Sequence, residues 1–223
     1  MIYETVQDAI AAGESQSVEF KQQLSSDRQL SKALSALANS GGGWFVVGVS
    51  DAGEFLGLSD VELERTSDRI LSAAAFAIDP PLSVEIERVE RYGKTAIAAR
   101  IPDSPHKPHY VLENGDRAGV FVRQNAASVP AGADMVKALK FRQPNDRVPV
   151  QLGKIERVWV ECLRDRDRIT IKQFCKIANV SQRRAHRMAV ELVNAGILNV
   201  FQHDRDTYYA LNRDSVRHLL TER

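Results

Sequence analysis

A cluster of basic side chains near position 185 is the part of this sequence with the clearest chemistry. It consists of Arg183, Arg184, His186 and Arg187, and the neutral polar residue Gln182 precedes them. Basic residues at a helix N-terminus oppose the helix macrodipole, so helix stability does not explain them. A recognition helix presents such residues to the bases and phosphates of the major groove. The cluster therefore predicts a nucleic-acid-binding helix over 182–195; the alternative is a solvated helix face without a ligand.

The segments around this helix predict a small domain of defined order. Apolar residues at helical spacing predict one helix over 155–163 and a second over 170–178, with Thr170 as its N-cap and Ser181 as the N-cap of the helix that follows. The segments 197–201 and 207–211 alternate like the two strands of a hairpin. Helix, helix, turn, helix and hairpin is the order of a winged helix-turn-helix domain.

The composition of the predicted hairpin tip is less favourable for DNA binding. Asp204 and Asp206 flank Arg205 there, whereas wings that contact DNA are usually more basic. A winged helix used mainly for dimerisation therefore stays open as an alternative. A short final helix is expected near 215–220, packed on this domain or on another subunit.

Charge is distributed unevenly along the 223 residues. Residues 151–223 hold 14 Lys and Arg against 9 Asp and Glu, whereas residues 1–150 hold 16 against 20. A basic third joined to an acidic body indicates two parts with different partners, and the basic part suits nucleic acid. We place a linker at 143–150, which contains two prolines and shows no periodicity, between domains at 1–142 and 151–223.

Composition excludes several other classes of protein. The hydrophobic fraction of 43% and charged fraction of 26% are those of an ordinary globular protein. No apolar run approaches the roughly 20 residues of a membrane helix, and no signal peptide is expected. Cys162 and Cys175 lack partners at metal-ligand spacing, which favours small buried side chains in a reducing cytoplasm.

The first 142 residues are organised around a glycine-bounded apolar run, Phe45–Val49, which predicts a strand buried on both faces. Periodicity predicts elements on either side of it. Helices are expected over 3–12, after an N-cap at Asp27, over 61–77 and over 135–141, and strands over 18–21, 82–89, 94–101, 110–111 and 120–123. The fold class is therefore α+β with a mixed sheet.

Several short motifs follow one another in this region. They are Glu14-Ser15 with Val18-Glu19-Phe20-Lys21, Ala38-Asn39 with Gly41-Gly42-Gly43, Gly48 through Gly53, and Val120-Phe121-Val122-Arg123. With these motifs, residues 10–130 resemble the Schlafen/AlbA-type domain family. The resemblance implies nucleic-acid binding, and many bacterial members of the family carry a C-terminal winged helix and look like transcriptional regulators. Members are often labelled ATP-binding, but this sequence has no GxxxxGK[ST] phosphate-binding loop.

The same resemblance implies a carboxylate site. Some animal Schlafen proteins are metal-dependent endoribonucleases, and their carboxylate trio resembles Glu14, Glu19 and Asp51 here. Such a trio would bind Mg²⁺ or Mn²⁺ and stabilise charge on a phosphodiester, and Lys21 would contact a phosphate. The structural alternative pairs Glu19 with Lys21 and gives Asp51 to the turn before Gly53.

Other residues have weaker signals. Lys107 and Arg123 are candidates for a nucleic-acid surface. His106 and His109 lack a third ligand, which favours a solvated loop over a zinc site. For Gly41–Gly43, a helix cap and a tight entry to the strand are favoured over direct ligand binding.

Three functions follow from these patterns. The leading hypothesis is a cytoplasmic, homodimeric regulator that binds duplex DNA through its winged helix, with no required cofactor. The alternative is a Mg²⁺- or Mn²⁺-dependent endoribonuclease acting on structured RNA through Glu14, Glu19 and Asp51. The third is a protein-interaction module whose winged helix only pairs subunits.

Overall fold

The chain folds into two compact units. The structure, a computed structural model, describes residues 4–141, 154–164, 166–203 and 206–212. Contacts divide the chain into Met1–Ala131 and Gly132–Arg223. The linker predicted at 143–150 and the final helix predicted near 215–220 lie outside the described residues. None of the helices in the described ranges has the length and apolar composition needed to cross a membrane.

The first unit combines three helices with two four-stranded sheets, which confirms a mixed α/β fold. Its elements are α1 (Val6–Ala12), β1 (Val18–Lys21), α2 (Asp27–Asn39), β2 (Gly43–Val47), α3 (Asp60–Phe76), β3 (Ile78–Asp79), β4 (Glu85–Arg91), β5 (Lys94–Ile101), β6 (Tyr110–Glu113), β7 (Asp116–Gln124) and β8 (Ala127–Pro130). The first sheet has the order β1-β2-β5-β4, and only the β1–β2 pair is parallel. The second sheet, β3-β6-β7-β8, is antiparallel throughout.

Strand β2 lies at the centre of the first sheet, and all five of its residues are buried. Phe45 and Val47 pack into a core shared with α2 and α3, and Trp44 and Val46 pack into a second core shared with α1. Burial on both faces is confirmed. The strand begins at Gly43 and ends at Val47, two residues earlier at each end than predicted. Just after it, the amides of Gly48 and Val49 both donate to the Lys21 carbonyl oxygen, at 2.8 and 3.3 Å.

Helix α2 begins one residue earlier than predicted. Its N-cap is Ser26, whose hydroxyl accepts a hydrogen bond from the Gln29 amide at 3.3 Å. The predicted cap, Asp27, is the first helical residue, and its carboxylate instead pairs with Arg69 at 2.6 Å. Both residue types are good N-caps, so sequence alone does not separate them.

Asn39, at the end of α2, joins the helix to the second sheet. Its side chain is buried. The amide donates to the carbonyl oxygens of His109 at 3.0 Å and Phe121 at 2.9 Å, and its oxygen accepts from the His109 amide at 2.8 Å. One side chain therefore satisfies backbone groups just before β6 and within β7, groups that would otherwise be buried without partners.

His109 is not in a solvated loop, contrary to the expectation from sequence. It is 1% exposed, and its Nδ1 lies 2.7 Å from the Pro80 carbonyl oxygen, to which it donates. Its Nε2 is buried and has no hydrogen-bond partner among the described residues. Burial lowers the pKa of His109, opposed by the bond to Pro80.

Acid is therefore expected to destabilise the first unit through His109. With its folded pKa depressed, the neutral ring contributes stability above the unfolded pKa of about 6.5, and that stability is lost as the pH falls below this value. Urea unfolding midpoints measured from pH 8 down to pH 5 should fall less steeply for His109→Gln than for the unchanged protein. The control is His106→Gln, in the exposed loop, which should keep the original slope; equal slopes for all three proteins would contradict the assignment.

The described part of the second unit comprises four helices and a three-stranded antiparallel sheet. Its elements are α4 (Ala133–Phe141), α5 (Lys154–Arg164), β9 (Ile169–Thr170), α6 (Ile171–Ala178), α7 (Gln182–Asn194), β10 (Leu198–His203) and β11 (Asp206–Leu211), and the sheet order is β10-β11-β9. Its core is centred on Trp159, which stacks on Phe174 at 3.8 Å and meets Tyr209 edge-on at 5.5 Å.

Helix α4 groups with the second unit, although the sequence placed it in the first domain. Asp134 lies 3.4 Å from His186 of α7. The Gly132 amide, just before the helix, donates to the side chain of Gln202 in β10 at 2.8 Å. An apolar helical face predicts that a helix is buried, but it does not identify the element against which the helix packs.

Candidate functional site

The basic cluster predicted near position 185 lies at the beginning of α7. Ser181 caps the helix, its hydroxyl accepting from the Arg184 amide at 3.4 Å. The cap predicted from sequence is therefore confirmed. On the opposite side, Ala185, Met188, Ala189 and Leu192 are buried in the core of the second unit. This packing sets the rotation of the helix, so Gln182, Arg183, Arg184 and Arg187 are exposed. We call these four residues the α7 arginine surface.

The arginines of the α7 arginine surface have few acidic partners. No acidic residue lies in the first turn of α7. Within the described part of the chain, the one ion pair of these arginines joins Arg187 Nε to Glu191 at 3.9 Å, and an exposed pair at this distance is weak. His186, which the sequence grouped with the arginines, is different because it faces Asp134 of α4. The charges that remain available are those of Arg183, Arg184 and Arg187.

A second candidate site is an open groove of about 750 Å³ in the first unit. Its lining includes Glu19 and Lys21 from β1, Asp51 from the turn after β2, and Ser128 from β8. Lys32 of α2 also lines it, although no sequence motif includes Lys32. Lys32 lies at a helix position that the apolar periodicity predicts to be exposed, so no sequence signal distinguishes it from other surface lysines.

Glu19 is the most constrained residue of this groove. It is 7% exposed. One carboxylate oxygen lies 3.1 Å from Lys21 Nζ, and the other accepts from the Arg123 guanidinium and, at 3.3 Å, from the Ser128 hydroxyl. A buried carboxylate is stable only when it is paired and hydrogen-bonded in this way.

Arg123 connects three parts of the first unit. Its side chain is fully buried, and besides Glu19 it donates to the carbonyl oxygens of Ser15 at 2.9 Å and Val18 at 3.3 Å. Burial lowers the pKa of Arg123, while the charges of Glu19 and Glu14 oppose that shift. The guanidinium therefore holds β1, the preceding turn and β7 together, and it does not present its charge to a ligand.

The three carboxylates of the predicted metal site do not form one ligand group. Glu14 accepts from the Phe20 amide at 2.8 Å, Glu19 is paired as described, and Asp51 lies on an exposed turn. In the ranges that the structure describes, no group of three or more His, Cys, Asp or Glu side chains is placed to hold a metal ion. As arranged, these residues do not fit a divalent cation, and we derive no metal-dependent step from them.

Two further residues predicted for a nucleic-acid surface are also placed differently. Lys107 has a side chain that is 1% exposed and pairs with Asp103, so neither Lys107 nor Arg123 offers a surface charge. Lys21 is 37% exposed at the edge of the groove, where it also donates to the Phe20 carbonyl at 2.7 Å. A single sequence does not distinguish buried from exposed cations, because the default position of Lys and Arg is the surface.

Comparisons with known proteins concern mainly the first unit. The model of the family described as Schlafen, AlbA_2 matches residues 14–132, more than half of the chain. Among solved structures, the N-terminal domain of an ATP-dependent DNA helicase RecG-related protein from Nitrosomonas europaea is 21% identical, with a TM-score of 0.42, covering 58% of this chain and 95% of that chain. The DIP2311 protein from Corynebacterium diphtheriae is 16% identical, with a TM-score of 0.44, covering 72% of this chain and 34% of that chain. Such loose likenesses carry no functional argument. No curated protein matches the chain significantly.

Proposed function

Because the chain belongs to the Schlafen, AlbA_2 family, we propose that it binds nucleic acid and acts as a DNA-binding transcriptional regulator. The observation that carries this proposal is the α7 arginine surface, which is exposed, free of acidic neighbours in its first turn and rotated away from the core. Arginines at the beginning of a helix can reach both phosphates and base edges in the major groove.

The arrangement of the second unit supports the use of α7 in this way. The order α5, β9, α6, α7, β10, β11 is compatible with a winged helix-turn-helix, a motif in which the helix corresponding to α7 enters the major groove. In this proposal α6 lies across the DNA backbone and β10–β11 form the wing. The protein acts in the cytoplasm as a homodimer that contacts two half-sites, and its first unit adds dimer contacts, nucleic-acid contacts or both.

Removing two arginines tests the proposal. Arg184→Ala combined with Arg187→Ala should weaken duplex binding and lower the slope of log affinity against log salt by about 2, since each phosphate contact contributes about one. Fluorescence anisotropy with a labelled duplex between about 50 and 200 mM salt measures both quantities. The matched control, Arg157→Ala with Arg164→Ala, removes the same charge from exposed positions of α5 in the second unit and should keep the slope. A slope unchanged by the α7 variant would overturn the proposal.

Assays on the same protein test the two alternative functions, a metal-dependent nuclease and a protein-interaction module. If transfer RNA is cut in the presence of Mn²⁺, and the cutting is lost in Asp51→Ala and in chelator, the chain is a nuclease and the second unit directs it to substrate. If neither DNA nor RNA is retained and the protein is a stable dimer, the winged helix serves subunit pairing.

A further inference from the structure

The sheet of the second unit has an outer face with its own chemistry. Alternation along β10 and β11 directs Leu198 and Tyr209 into the core. Phe201 and Tyr208, which are cross-strand partners, therefore lie on the opposite face. Both are half-buried and neither belongs to the core. Within the described residues of the unit, the core does not include these two aromatic side chains.

These rings form a stacked group with charged and polar neighbours. The rings of Phe201 and Tyr208 have centroids 6.0 Å apart and are inclined by 18°. The exposed guanidinium of Arg168 lies 4.7 Å from the centroid of Tyr208 and 6.0 Å from that of Phe201. The His203 ring meets Tyr208 edge-on at 6.2 Å. We call these four residues the outer aromatic face.

We propose that the outer aromatic face binds unpaired bases of DNA, such as a single-stranded end that adjoins a duplex held by α7. This inference rests on the proposed function and assigns the class of DNA that the second unit recognises. Nearly parallel aromatic rings and a guanidinium plane are surfaces on which bases stack, and stacking requires a base whose own faces are accessible. In a duplex those faces are covered by neighbouring base pairs.

Charge favours a polynucleotide over an apolar partner on this face. Residues 151–223 carry a surplus of five positive charges, and Arg168 places one of them directly over the rings. The guanidinium can pair with a phosphate while its plane remains against Tyr208 or an incoming base. Asp206, the partner of His203 in the β10–β11 register, is exposed on the same face. Because the Asp206 carboxylate repels phosphates, we expect the bound strand not to extend past Asp206 towards the hairpin tip.

The test compares affinities for blunt and overhanging duplexes. The probes are a duplex of about 12 base pairs alone and with a 5′ or 3′ overhang of about five thymidines. The overhang should raise the affinity of the full chain about 10-fold, which corresponds to stacking of one or two bases. Tyr208→Leu should reduce the ratio of overhang to blunt affinity to about one, whereas Tyr208→Phe, which keeps the ring, should preserve it.

The outcomes distinguish this inference from the proposed function. If blunt duplex binds through Arg184 and Arg187 but neither overhang adds affinity, the outer aromatic face is not a base-stacking site and the proposed function stands. If a single-stranded oligonucleotide of thymidines binds through Tyr208 while the blunt duplex does not bind, the inference holds and duplex recognition fails. A gain confined to an overhang of ribonucleotides would overturn the assignment to DNA, and a gain that survives Tyr208→Leu would place the unpaired strand elsewhere.

Discussion

Replacing Arg123 with methionine should lower the free energy of unfolding of the first unit by about 3–5 kcal/mol. Methionine keeps much of the volume of the side chain but removes the cation. Glu19 would remain buried with Lys21 and Ser128 as its partners, and the carbonyls of Ser15 and Val18 would lose their donor. Removing one member of a buried ion pair is costly mainly because the other charge stays behind.

Chemical unfolding of Arg123→Met measures this effect, and the same strand provides the control. Arg117 also lies in β7 and pairs with Asp79 at 2.6 Å, but its side chain is 55% exposed. Arg117→Met should therefore cost less than about 1 kcal/mol. The double variant Arg123→Met with Glu19→Met removes both charges and should recover part of the loss. If Arg123→Met and Arg117→Met are equally stable, the guanidinium does not hold the first unit together.

Gly43→Ala should be nearly as damaging, at about 3–5 kcal/mol, the sum of strain at positive φ and of overpacking. The φ of Gly43 is 150°, and a Cβ there would be pressed against the carbonyl oxygen of Ser17 and lie 2.8 Å from its carbonyl carbon. That oxygen already accepts from the Trp44 amide at 2.8 Å. Because both contacts are backbone, neither strand can move aside without loss of the β1–β2 pairing.

The first glycine of the same run, Gly41, distinguishes backbone strain from overpacking. Gly41 has a φ of 104°, and a Cβ there would meet nothing within 4 Å. Gly41→Ala should therefore show only the strain of its backbone conformation, about 1–2 kcal/mol. Thermal or urea unfolding of the two variants measures the difference. If the two substitutions cost the same, the close approach of Gly43 to Ser17 has no energetic weight, and a role of these glycines in binding a ligand becomes the better explanation.

Features with a local physical cause could be predicted from sequence. The apolar run at 45–49 indicated a strand covered on both sides, and β2 is such a strand. Thr170 and Ser181 were expected to cap helices, and both do so through their hydroxyls. Each of these features depends on residues within one element or one turn, so it can be read from a short window of sequence.

Features that depend on distant partners could not be predicted. Arg123 and Glu19 are 104 residues apart, and nothing near either residue shows that each is the other's counterion. His109 is buried because the Asn39 side chain and the Pro80 carbonyl bind it. The arrangement of the carboxylate trio could not be predicted for the same reason. Glu14, Glu19 and Asp51 are of types that suit a metal, but sequence does not show whether carboxylate oxygens already bind Lys21, Arg123 or a backbone amide.

Asn39 has a consequence for how the first unit can come apart. A single buried amide links the end of α2, which lies on the first sheet, to backbone groups of the second sheet. Separating the sheets breaks all three bonds at once, and any opening too small to admit water leaves the amide and the strand groups without partners. The two sheets are therefore one cooperative unit: a fragment that ends between them discards the acceptors of Asn39.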